Sequence, residues 1–197
     1  MDTTKTKYEP VNLQELAAKV HDNAVKHGWW ENHPSDEHCL MLVISELAEA
    51  IEADRKGRMA NAAWFEQMIN QTPSCHEAAT CEERYAYWFE TYIKDTLQDE
   101  LADTVIRLLD LAGAHGYNVF RSFITRNDLT RQRAFTENVW EIVQVVTNSN
   151  IPVSVRVILS IEMVDVLANT YGFNLWWYVE KKMEYNINRP YKHGKKY

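Results

Sequence analysis

Apolar residues recur along this chain at intervals of three and four, the spacing that lines one face of an α-helix. After Pro10, the stretch "VNLQELAAKVHDNAVKHG" puts Leu13, Leu16, Ala17, Val20 and Ala24 on one stripe, and Gly28 ends it. A loop, "WWENHPSDEH", follows. Ser35 or Asp36 then offers an N-cap for a second helix running to about Lys56, with the face Leu40, Val43, Ile44, Leu47 and Ile51. Because Cys39, Met41 and Leu42 are apolar too, the first half of this helix is predicted to be buried nearly all round.

The pattern from 58 to 95 is more broken. "NAAWFEQMIN" predicts a short helix, "QTPSCHEAAT" a loop, and "CEERYAYWFETYIKDT" the lead-in to one long helix through Leu111 to Ala114, stopped by Gly116. Further helices are predicted near 118–126, 131–148, 152–170 and 174–188, before a basic tail, "RPYKHGKKY". "IPVSVRVIL" is rich in β-branched residues, yet its continuation "SIEMVDVLANTYG" keeps helical spacing, so it is assigned to helix. No segment reads as a strand. A shift of 56 residues lays "LLDLAGAHGYN" over "VDVLANTYGFN", matching Leu111/Leu167, Ala112/Ala168, Gly116/Gly172 and Asn118/Asn174. A degenerate internal repeat and chance similarity between two helix ends both account for this match.

Composition agrees with an all-α fold, and the length fits one domain or two small ones, with a single domain over 1–197 as the expectation. The 197 residues are 46% hydrophobic, with only 6 Gly and 5 Pro. A formal net charge of −7 argues against nucleic acid or an anionic membrane surface as the partner. No run reaches the roughly 18–20 apolar residues of a membrane span, and "MDTTKTKYEP" lacks the apolar region of a secretory signal. Cys39, Cys75 and Cys81 form no disulfide framework, which gives a reducing compartment and a cytoplasmic protein as the expectation. Cys75, His76 and Cys81 lack a fourth ligand at a zinc-like spacing.

Two acidic pairs change the picture. "SELAEAIEADR" places Glu46 and Glu49 one turn apart, and "DELADTVIRLLDLAG" does the same with Glu100 and Asp103. Acids on a solvated helix face usually have a base four positions away. Here the residues at i+4 of Glu46, Glu49 and Glu100 are Ala50, Ala53 and Thr104, and only Asp103 has one, Arg107. Four carboxylates gathered in a cleft repel one another by on the order of 3–4 kcal/mol per pair at 4–5 Å, so they take up protons or a cation. An all-oxygen set suits Mg²⁺ shared with substrate phosphates. A di-iron centre would need Glu-x-x-His motifs, and none of the seven histidines has Glu three positions before it.

In the tail, Lys182, Asn186 and Arg189 fall at i, i+4 and i+7, an arrangement suited to phosphate oxygens and a sugar or base edge. The same bases also complement a helix C-terminus, as an ordinary solubilising tail does. Trp29 and Trp30 are candidates either for stacking on a base or for covering the core.

Taken together, "HGWW" (27–30), "ELAEA" (46–50), "DELADTVIRLLDLAGAHG" (99–116) and "KMEYNINRPYKHGKK" (182–196) resemble the all-α nucleoside triphosphate pyrophosphohydrolases, the superfamily of MazG and dimeric dUTPase. The resemblance implies a helical bundle of that type. It implies cleavage of a nucleoside or deoxynucleoside triphosphate between its α and β phosphates, with a dedicated dUTPase and a nucleotide-binding protein without turnover as alternatives. It also implies Glu46, Glu49, Glu100 and Asp103 as ligands to Mg²⁺, for which Mn²⁺ can substitute. Lys182, Asn186, Arg189, His193 and Lys195 would contact the nucleotide, and the chain would form a homo-oligomer. Glu49 is the first choice for the group that takes the proton of the attacking water. Two segments, about 58–95 and 119–178, are insertions relative to compact members of that superfamily.

Overall fold

The computed structural model describes residues 12–71, 81–120, 129–194 and 196. Among them are eight α-helices and no strand: α1 (Leu13–Lys26), α2 (Asp36–Arg55), α3 (Ala62–Gln71), α4 (Cys81–Tyr92), α5 (Leu97–His115), α6 (Phe135–Thr147), α7 (Val153–Tyr171) and α8 (Leu175–Ile187). A 3₁₀ turn over Tyr191–Gly194 follows. The all-α expectation holds, and the β-branched stretch at 153–159 is helical because its apolar spacing continues into "SIEMV".

The bundle is built around α5, which packs against α1, α2, α7 and α8. Leu97, Leu101, Val105, Leu108, Leu109, Leu111 and Ala112 are fully buried along it. Burying one such leucine is worth about 1.5–3 kcal/mol, so this helix anchors the core. The α1 backbone comes so close that a Cβ built on Gly113 would lie 2.5 Å from the Ala17 carbonyl oxygen. That approach brings His21 of α1 within 2.8 Å of Asp110.

The α4–α5 region differs from the single long helix expected. The chain turns at Ile93–Thr96, with Asp95 in the left-handed region at φ 58°. Thr96 is the N-cap of α5 and accepts from the Asp99 N–H. Leu97 N–H is satisfied by Arg58 O and Asn61 N–H by Tyr92 O, so the corner is tied back to the start of α3. Apolar spacing runs unbroken through both helices, but Asp95-Thr96 is a capping pair, and local side-chain bonding wins over propagation.

Of the helix expected near 118–126, residues 117–120 are not helical and 121–128 fall outside the described residues. α3 and α4 form a hairpin, whose Phe65 and Phe89 meet edge to face and whose Phe89 stacks on Tyr185 of α8. The expectation of cysteines without a disulfide fails at Cys81, which is disulfide-bonded, while Cys39 is free. Spacing alone carries no information on such pairing. Cys75 and His76 lie outside the described residues. No described helix is long and apolar enough to cross a membrane.

Candidate functional site

Three of the four predicted acids converge. Glu46 and Glu49 come from the middle of α2 and Glu100 from the first turn of α5, and one carboxylate oxygen of each lies within 4.8 Å of the other two. The i, i+3 spacing turns both α2 acids toward α5, the helix with which α2 shares most of its buried face. They line a cavity of about 280 Å³ with Asp99, Asp103, Asp110, Lys94, Arg107, Lys182, Asn186, Arg189 and Trp29. Every acid and every tail residue expected at the site is therefore present, save His193 and Lys195. The His193 side chain and the whole of Lys195 lie outside the described residues.

The acids have different surroundings. Glu46 is 6% exposed and accepts from Arg107 Nε at 3.0 Å. Arg107, expected as the helical neighbour of Asp103, thus reaches across to α2 instead. Burial, reinforced by the negative charge of Asp103 and opposed by Arg107, pushes the Glu46 carboxyl up to about 7. Glu100 is 5% exposed, and among the described residues its carboxylate has no hydrogen-bond or ion-pair partner. Burial first, then the charges of Asp103 and Asp99, push it up to about 9. Glu49 is exposed to the cavity.

Asp103 stands beside this triad rather than inside it. Its Oδ2 lies 2.7 Å from Lys182 Nζ. The same ammonium is 2.8 and 2.9 Å from the two oxygens of Asp99, which is 2% exposed. Burial works against the charged lysine, but Asp103 and Asp99 outweigh it and raise the ammonium above its ordinary range. Lys182, expected to reach phosphate, is therefore a buried counter-ion shared by two carboxylates. Its charge is spent inside the fold.

Asn186 follows one turn later on α8. It is 7% exposed, and its Oδ1 has no hydrogen-bond partner among the described residues. Arg189 sits just past the C-cap Asn188, with its guanidinium 5.5 Å over the Tyr185 ring. The His27 ring bridges the carbonyls of Asn23 and Arg189 at 2.8 and 3.0 Å, which fixes this end of α8 against the end of α1.

No family model matches the chain, and no curated protein or solved structure matches it either. The site thus rests on its own geometry.

Asp99, Lys94 and Asp110 are site residues that the spacing argument passed over. Asp99 carried a signal, because it lies at i−4 of Asp103 on the same face of α5. Asp110 lies at i+7 of Asp103. It binds both His21 Nδ1 at 2.8 Å and Trp30 Nε1 at 2.9 Å, so the half-buried Trp30 is held against the core. Trp29 instead lines the cavity, with Arg107 5.7 Å over its ring. It also lines an adjoining pocket of about 320 Å³ with Trp30, His33, His38, Cys39 and Leu42.

Proposed function

We propose that the chain is a Mg²⁺-dependent nucleoside triphosphate pyrophosphohydrolase, as the superfamily it resembles implies, releasing a monophosphate and pyrophosphate. The observation that carries this reading is Glu100, buried without a partner among the described residues and clustered with two more glutamates at a cavity. A buried unpaired carboxylate costs several kcal/mol unless a proton or a cation compensates it. The cluster offers only carboxylate oxygens, on two helices packed together, and hard oxygen donors suit Mg²⁺ or Mn²⁺ over softer metals.

Glu46, Glu49 and Glu100 would hold the ion, with Asp103 adjacent. Bound there, Mg²⁺ would supply positive charge to phosphate oxygens and polarise water. The protein's own groups do the rest. Glu49, open to the cavity, accepts the proton of the attacking water. Arg107 fixes the rotamer of Glu46. Lys182 cancels charge on Asp99 and Asp103, which limits repulsion toward the incoming polyphosphate. Asn186 turns its unused amide to the substrate. The indole of Trp29, between the acid cavity and the adjoining pocket, provides a stacking face for a base, worth about 1–3 kcal/mol by analogy with other stacked bases.

The test is to incubate the purified chain with a panel of ribo- and deoxyribonucleoside triphosphates plus Mg²⁺ and measure pyrophosphate. Release from one or more members supports the reading, and a strong preference for dUTP would narrow it to a dUTPase. Nucleotide binding without any release would make it a binding protein instead.

A further inference from the structure

Four bases line the acid cavity, and the structure separates them into two kinds. Arg107 is committed to Glu46, and Lys182 to Asp99 and Asp103. Lys94 and Arg189 have no ion pair among the described residues. Both also line a neighbouring cleft of about 340 Å³, so they stand on the ridge between the two cavities.

Of the three carboxylates of that cleft, Glu82, Glu90 and Glu184, none pairs with either base. Glu184 is held by Lys181 at 3.1 and 3.2 Å, and Glu90 accepts from the Tyr185 hydroxyl at 2.6 Å. Asn186 lines the same cavity as these two bases and the acids, and its buried Oδ1 has no hydrogen-bond partner among the described residues.

We propose that Lys94, with Arg189, grips the phosphates of the substrate that extend beyond the acid triad, so that the segment 58–95 supplies a polyphosphate contact. The proposal rests on the pyrophosphohydrolase reading. The corner that carries Lys94 is built in advance. Lys94 N–H closes α4 on Phe89 O, and Asp95, in the left-handed region, donates its N–H to Asp99 Oδ2 at 3.0 Å. The carboxylate that holds Lys182 in the interior thus also ties down the backbone next to Lys94. A polyanion arriving with its metal would meet carboxylates at one end and unneutralised cations at the other, and a charge-assisted contact to phosphate is among the stronger polar interactions available.

Calorimetric titration with Mg²⁺ and inorganic tripolyphosphate tests this in the wild type, Lys94→Gln, Lys94→Arg and Arg189→Gln, beside binding of Mn²⁺ alone and steady-state kinetics on the preferred nucleotide. Losing the contact in Lys94→Gln should weaken tripolyphosphate binding and raise KM by about tenfold, with kcat changed far less. Lys94→Arg should stay within about threefold of wild type, because the charge is kept. Affinity for Mn²⁺ alone should be unchanged in both. Wild-type tripolyphosphate affinity and KM in Lys94→Gln, in an enzyme that still turns over nucleotide, would overturn the Lys94 assignment alone. Equal loss of Mn²⁺ affinity in Lys94→Gln would also overturn it, since the residue would then act on the acid site. A wild-type chain that neither binds tripolyphosphate nor releases pyrophosphate would bring down the assignment and the underlying reading together.

Discussion

α5 and α7 are each 19 residues long, and each ends at a glycine in the left-handed region whose N–H bonds back into the last turn. The 56-residue shift that aligns their sequences also aligns their ends, Leu97 with Val153 and His115 with Tyr171. The buried hydroxyls Thr104 and Ser160 coincide, but no acid of one helix falls on an acid of the other. Where α5 has Glu100 and Asp103, α7 has Arg156 and Leu159. Arg156 donates to Val146 O at 3.1 Å, near the end of α6, so it ties two helices together. Among the described residues the Glu100 carboxylate ties nothing. One frame can thus carry two kinds of residue at the same position: a part-buried arginine that bonds a neighbouring helix while its Nε stays unmatched, or a buried glutamate facing a cavity.

The contrast is broken or sharpened first at Glu49. Glu49→Gln should cut pyrophosphate release by orders of magnitude with Tm nearly unchanged. Arg156→Gln on α7 should leave turnover intact and lower Tm by the loss of about one hydrogen bond, on the order of 1 kcal/mol. Turnover that falls in Arg156→Gln as far as in Glu49→Gln would erase the distinction. The next largest effect is on stability. Lys182→Met strands Asp99 and Asp103 without their counter-ion, and breaking a buried pair from one side costs roughly 3–5 kcal/mol, read in urea denaturation. Gly113→Ala should destabilise by about 1–3 kcal/mol, because α1 must move away from α5, whereas its counterpart on α7, Asn169, is exposed and bonds back to Asp165 of its own helix.

The smallest expected effect is a pH trend. The carboxyls of Glu46 and Glu100 titrate above their ordinary 4.5, at about 7 and about 9, because burial and neighbouring acids favour the protonated form. Their contribution to stability is complete below about 4.5 and is lost as pH rises through 7 and then 9. The metal-free protein should therefore melt at progressively lower temperature across that range, and Glu100→Gln should flatten the decline. Saturating Mg²⁺ should flatten it too, and more strongly at the alkaline end, where protons no longer compete for the acids. A Tm that climbs with pH in the absence of metal would contradict these surroundings.

Much of this architecture was legible in the periodicity. α1, α2, α3, α6, α7 and α8 fall where the three-and-four spacing puts them, to within a few residues at each end. The corner at 93–96 was not legible, since it is set by a tertiary tie to Arg58 and by a capping pair inside an otherwise continuous apolar pattern. The site divides in the same way. Glu46, Glu49 and Glu100 were readable because acids without a helical counter-ion stand out on apolar helices. The role of Lys182 was not, because spacing places a side chain on a face without saying which neighbour it will meet. Only the packing of α8 on α5 makes it a counter-ion for Asp99 and Asp103, and only the corner after α4 makes Lys94 a member of the site.

Everything functional here depends on the three glutamates holding a divalent ion. The most direct measurement is a titration of the metal-free protein with Mn²⁺, followed by electron paramagnetic resonance, for wild type, Glu100→Gln and Arg156→Gln. Saturable binding in wild type and Arg156→Gln that falls by at least tenfold in Glu100→Gln is the predicted result. No saturable binding in wild type, or the same affinity in Glu100→Gln, would contradict the account.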